Sequence, residues 1–81
     1  MPSSNHNERP GTGELYTHFK GMQYRVLGVG RHSETLEEMV FYEALYENPK
    51  GKLWARPLAM FLEIVPDPKG GKPVRRFSKI K

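Results

Sequence analysis

The side chains in this sequence able to do acid–base work near neutral pH are His18, His32, Glu34, Glu37 and Glu38. All but His18 fall in one short stretch, where a histidine beside carboxylates is the least that proton transfer needs. The same stretch also reads as a loop whose backbone His32 and Glu34 organise by hydrogen bonds, and that reading is preferred. No Gly-x-Ser-x-Gly, His-Glu-x-x-His or phosphate-binding glycine loop is present. Gly28-Val29-Gly30 lacks the third glycine and the following helix of a dinucleotide site. No residue is assigned as catalytic, and the chain is expected not to be an enzyme. There is no cysteine, and His6, His18 and His32 lie far apart, so neither a metal nor a cofactor is expected.

Binding chemistry is better represented. Tyr16, Tyr24, Tyr42, Tyr46 and Trp54 are large aromatics with a polar tip. Such groups line the ligand grooves of many small barrels, where they stack on prolines, bases or methylated amines. They also fill small cores, and a chain this short must bury some of them. Strand alternation puts Trp54 and Arg56 on one face. Arg56 then either pairs with Glu34 or Glu43 or offers its guanidinium to an anionic ligand. The candidate ligand-binding set is Tyr16, His18, His32, Glu34, Tyr42, Trp54 and Arg56.

The net charge of +4 is unevenly spread. Six basic residues and no acidic one lie between Lys69 and Lys81, which leaves residues 1–68 at −2. The basic character therefore belongs to the C-terminal segment. Lys69, Lys72, Arg75 and Arg76 are candidates for weak, sequence-independent contact with nucleic acid through phosphate.

The elements that must position these groups are short. Leu15, Thr17 and Phe19 alternate with Tyr16 and His18 in a strand pattern. A second run, Tyr24 to Arg31, is rich in strand formers, and its two glycines imply a bend or bulge. Residues 33–46 are ambiguous. Thr35-Leu36-Glu37-Glu38 matches a helix capping box, and Leu36, Met39, Val40 and Ala44 recur at helical spacing. Met39-Val40-Phe41-Tyr42 fits a buried strand equally well. Asn48-Pro49-Lys50-Gly51 has turn composition and precedes Leu53-Trp54-Ala55, so a hairpin is expected and 39–46 is taken as a strand. Pro57 opens a single helical turn. A short extended run, 62–65, and a proline-glycine loop follow. Val74 and Phe77 are expected on one last edge strand.

Arg31-His32-Ser33-Glu34-Thr35, Val40-Phe41-Tyr42-Glu43-Ala44-Leu45-Tyr46 and Leu53-Trp54-Ala55-Arg56-Pro57-Leu58-Ala59-Met60-Phe61 occur in an order similar to that of the bacterial family called domain of unknown function 1653. Tyr16-Thr17-His18-Phe19-Lys20-Gly21 and Tyr24-Arg25-Val26-Leu27-Gly28 extend the resemblance over nearly the whole chain. The family pattern often has glycine where this chain has Leu36. That implies a tight turn between two strands and supports the strand over 39–46. The resemblance carries no catalytic residue and does not lead one to expect the basic tail.

Three segments are expected: a disordered 1–12, a domain over 13–77 and a frayed basic end over 78–81. The expected fold is all-β, a small antiparallel SH3-like barrel of five to six strands with one short helical turn. With no apolar leader and no run near the roughly 20 residues of a membrane span, the chain is expected to be cytoplasmic and off the membrane. The leading expectation is a monomeric binding module for a protein or peptide partner. A nucleic-acid-binding barrel is the second, and a small enzyme or metabolite sensor using His32 and Glu34 the third.

Overall fold

A computed structural model describes residues 9–80. The disorder expected over 1–12 falls, for residues 1–8, outside the described residues. Four strands form an antiparallel meander: β1 (Leu15–His18), β2 (Gln23–Arg31), β3 (Glu38–Ala44) and β4 (Leu53–Pro57). A helical turn, α1 (Leu58–Phe61), leads to β5 (Ile64–Val65), β6 (Val74–Arg75) and β7 (Phe77–Lys79). The main sheet has the order β4-β3-β2-β1-β7, and β5 pairs with β6 in a second sheet. The fold is thus mostly β, with seven strands among the described residues where five or six were expected. Backbone pairing leaves the main sheet open, with β4 and β7 as its edges.

Alternation decides which face is buried. In β2, Tyr24 and Val26 point inward between exposed Gln23, Arg25 and Leu27. They meet inward Tyr16 of β1 and Tyr42 of β3 across the ladders. The β2–β3 register shifts between Val26 and Gly28, and this bulge keeps Val29 opposite the fully buried Val40. Gly30 has a separate reason. The Phe41 ring crosses it so closely that a Cβ there would sit 3.1 Å from Cε2. On the opposite, inward face, α1 contributes Leu58 and Phe61 to a core with Tyr16, Tyr24, Val26, Val40, Tyr42, Ala44 and Phe77.

The ambiguous stretch resolves as loop and strand. Thr35 Oγ1 accepts a backbone bond, but from Glu37 N–H at 3.2 Å within a loop. His32 N–H donates to the Glu37 carbonyl at 2.8 Å and Leu36 N–H to the His32 carbonyl at 2.9 Å, which closes the β2–β3 hairpin. At the β3–β4 turn, Asn48 Oδ1 accepts from Lys50 N–H at 2.9 Å, and Gly51, at φ 138°, returns the chain.

The C-terminal segment differs from the single edge strand expected of Val74 and Phe77. Arg76 breaks it in two. Its N–H donates to the Glu63 carbonyl while its carbonyl accepts from Phe19 N–H, both at 2.9 Å. Val74 therefore joins β5, whereas Phe77 pairs beside His18 of β1. Pairing continues past Phe77 to Lys79, and Ile80 N–H donates to the Leu15 carbonyl at 2.8 Å.

Leu36 sits at φ 65° and is 62% exposed. A left-handed backbone costs a non-glycine residue roughly 1–2 kcal/mol, and the side chain recovers little of this by packing. Leu36→Gly is expected to stabilise the domain by up to about 1 kcal/mol, after the extra flexibility glycine gives the unfolded chain. Leu36→Val, branched at Cβ, is expected to destabilise it. Urea melts of the three proteins check the order, and a less stable glycine variant refutes it.

Candidate functional site

Tyr16, His18, Tyr42, Trp54 and Arg56 come together on the concave face of the sheet. Ladder partners share a face, and the pairs Tyr42–Trp54, Val40–Arg56 and His18–Phe77 carry the inward set from one edge to the other. Most of the aromatics are core. Tyr16, Tyr24 and Tyr42 are all buried, and Phe77 meets Tyr24 and Tyr42 edge to face. Trp54 is half-buried, and its Nε1–H donates to the Gly51 carbonyl at 3.1 Å, so it holds the β3–β4 turn. Tyr46 is the most exposed of the five, with its hydroxyl 2.7 Å from that of Tyr24 and accepting from Asn48 Nδ2 at 2.9 Å.

The buried tyrosine hydroxyls end at polar partners. Tyr16 donates to Glu14 Oε1 at 3.2 Å, and burial pushes its phenol up to about 12. Burial and the contact with Tyr46 raise Tyr24 further. Tyr42 accepts from Arg56 Nε at 3.2 Å. Arg56 pairs with neither carboxylate offered to it by the sequence. Glu43 lies instead beside Arg25 at 3.3 Å and Lys52 at 3.7 Å. The Arg56 guanidinium rests over Phe77, its Cζ 5.6 Å from the ring centroid. Strand β4 thereby reaches β7 across the open side of the sheet.

His32 and Glu34 stand apart from this face, on the exposed β2–β3 loop. His32 Nδ1 accepts from the backbone N–H of Glu34 at 3.1 Å and of Thr35 at 3.4 Å. The ring organises the loop. Among the described residues no three His, Asp or Glu side chains are grouped to hold a metal.

Of the basic tail, Arg76 is structural, with Nη2 2.7 Å from Glu63 Oε1 and Nε donating to the Met60 carbonyl at 3.1 Å. Lys72 is exposed. Lys69 and Arg75 line a cleft of about 380 Å³ with His18, Phe19, Asp67 and Val74. A second cleft of about 380 Å³ has Leu58, Ala59 and Leu62 beside Arg9, Glu37 and Glu38. Sequence reasoning missed Phe19 and Asp67 as cleft residues and Phe77 as the ring beneath Arg56. Alternation offered a signal for Phe19 alone.

His18 links the cleft to the concave face. Its ring packs on Phe77 at 5.0 Å, and Nδ1 accepts Lys20 N–H at 3.1 Å, which leaves the proton on Nε2. Burial, with Arg56, Arg76 and Lys20 nearby, lowers its pKa to about 4. An unfolded histidine titrates near 6.5. Between these values the unfolded chain binds a proton that the folded one refuses. Stability therefore falls as the pH drops from about 6.5 to about 4, by up to about 1.4 kcal/mol per unit. Glu14 and Glu38 are held low by their hydrogen-bond partners, Gly11 N–H and Lys79 for one and Arg9 for the other. Their contributions begin to be lost as the pH falls through the ordinary carboxylate value of 4.5, at the acid end of the His18 window. Urea melts between pH 7 and pH 4 are expected to give this slope in the wild type and a flatter one in His18→Gln. Equal slopes refute the assignment.

A family model described as "Protein of unknown function (DUF1653)" matches residues 14–79. The fold is similar to the crystal structure of a protein belonging to DUF1653 from Bordetella bronchiseptica. The two share 35% sequence identity over 93% of this chain and 90% of that one, with a TM-score of 0.78. No curated protein matches the chain. With the family model spanning all seven strands and a family structure sharing the fold, this chain belongs to the DUF1653 family.

Proposed function

We propose that this domain is a non-enzymatic binding module for a protein or peptide partner, working as a cytoplasmic monomer. One observation carries the reading. The cleft beside His18 combines an aromatic wall, Phe19, with charges of both signs, Asp67, Lys69 and Arg75. A mixed-charge cleft with apolar walls suits a peptide better than a uniformly anionic chain. The architecture we assign is a small SH3-like barrel whose seam is bridged by side chains. The strand order, the helical turn after β4 and Arg56 lying over Phe77 support it. No helix among the described residues is long and apolar enough to cross a membrane.

Nucleic-acid binding is the second reading, favoured by Lys69 and Arg75 lying together at the cleft. Arg76 is withdrawn from it by Glu63, which shortens the basic stretch. An enzyme built on His32 and Glu34 has less support, because the His32 Nδ1 already serves the loop backbone.

Selection from an unbiased phage-displayed peptide library tests the first reading, with the bound peptide mapped by amide chemical shifts. Shifts at Phe19, Asp67 and Lys69 are expected. In parallel, a short single-stranded oligonucleotide is titrated at low and near-physiological salt against wild type and a Lys69→Gln, Lys72→Gln, Arg75→Gln variant. Arg76 is kept, since its loss confuses unfolding with lost charge. Oligonucleotide binding is expected to fall steeply with salt and to vanish in the variant. Tight binding of one sequence at high salt, with no peptide selected, reverses the two readings.

A further inference from the structure

Arg56 differs from the other arginines in how it is used. Arg9, Arg25 and Arg76 sit on carboxylates, Arg31 donates to the Leu36 carbonyl, and Arg75 is also engaged. Arg56 is half-buried, yet no carboxylate among the described residues lies within ion-pair distance of it. It is nevertheless fixed. Its Nε is tied to the Tyr42 hydroxyl, and its Cζ lies over the Phe77 ring, 5.6 Å from the centroid. Nε is its one donor bonded to a described residue, and the paired Nη groups keep their capacity for an outside acceptor. An arginine anchored through Nε keeps the pair of Nη donors that matches a carboxylate.

We propose that Arg56 is an anion receptor, taking one carboxylate of an acidic peptide in bidentate fashion at the seam between β4 and β7. This rests on the peptide-binding reading above and names the chemistry of the partner. Charge complementarity supports it. Arg56, Arg76 and Lys20 gather about the neutral ring of His18. A carboxylate fits better than a nucleic-acid backbone, which needs a row of cations. Here Arg76 already serves Glu63, and Lys20 leans on Phe19.

The probe is the capped peptide acetyl-(Glu)4-amide, with acetyl-(Gln)4-amide and a short single-stranded oligonucleotide as comparisons. Each is titrated into the full chain, wild type, Arg56→Lys and Arg56→Met, by NMR. The glutamate peptide is expected to shift the Arg56 Nε–H and the His18 ring signals and to raise the His18 pKa, because an anion offsets the cations around it. The glutamine peptide should bind at least tenfold more weakly. Arg56→Lys, which keeps the charge but loses the fork, should lose most of the affinity, and Arg56→Met all of it. Thermal melts check that both variants fold: Arg56→Lys keeps the charge, and Arg56→Met removes a half-buried charge at the cost of the bond to the Tyr42 hydroxyl. If Arg56→Met does not fold, Arg56→Lys decides.

Equal binding of the two peptides, unchanged binding in the variants, or silence at Arg56 and His18 overturns the proposal. So does binding of the oligonucleotide alone through Arg56. A library-selected neutral peptide that binds Arg56→Met as it binds wild type leaves the peptide-binding reading standing while this one falls. If no peptide binds at all, both fall.

Discussion

The Phe77 ring is the contact on which the rest of the structure depends. It stacks on Phe61 with centroids 4.1 Å apart and planes 4° from parallel, and it meets His18, Tyr24 and Tyr42 edge on. Arg56 covers its outer side. Through this one ring the last strand, the helical turn, the first three strands and the fourth are packed together. An open sheet of five short strands is held in its curl by the side chains of its two edges. Nearly every contact of the ring joins residues distant in sequence, so the core forms as a unit.

A second constraint follows from filling the core with tyrosine. Each hydroxyl must end at a partner, and each does so at the rim: Tyr16 at Glu14, Tyr24 at Tyr46 and Tyr42 at Arg56. Among the described residues no buried side-chain polar atom lacks a hydrogen bond. Packing and surface chemistry are therefore coupled. The residue that satisfies the Tyr42 hydroxyl is the one that carries the half-buried charge outward. The alternatives of core and groove for the aromatics are two ends of the same side chains.

What was legible in the sequence is what local pattern controls. Alternation located β1, a run of strand formers located β2, the Asn-Pro-Lys-Gly turn located the β3–β4 hairpin, and Pro57 located the helical turn. The ambiguity over 33–46 has a physical source. Thr35 can cap a helix or a loop with the same oxygen, and it caps a loop here. The resemblance weighed correctly toward a strand, and Leu36 at positive φ occupies the place where glycine is common in the family pattern. The splitting of the last strand was not legible, because it depends on Arg76 bonding to Glu63 across the fold. Nor was the partner of Arg56. Spacing offered Glu34 and Glu43, but Glu43 points to the outer face with Arg25 and Lys52, whereas Arg56 points inward.

Net charge was the weakest guide to the site. The tail appeared as a block of free cations, yet folding commits much of it: Arg76 to Glu63, and Lys79 to Glu14 at 3.0 Å. Arg56, from the slightly acidic body of the chain, is half-buried and has no carboxylate among the described residues within ion-pair distance. Gathering Arg56, Arg76 and Lys20 about a buried histidine lowers the affinity of that ring for a proton and weakens the folded state in mild acid. An apolar side chain at position 56 covers Phe77 without a half-buried charge, but it leaves the buried Tyr42 hydroxyl without its bond from Arg56 Nε. A local conflict of this kind, unrelieved by any described carboxylate, is where an outside anion has most to offer the fold.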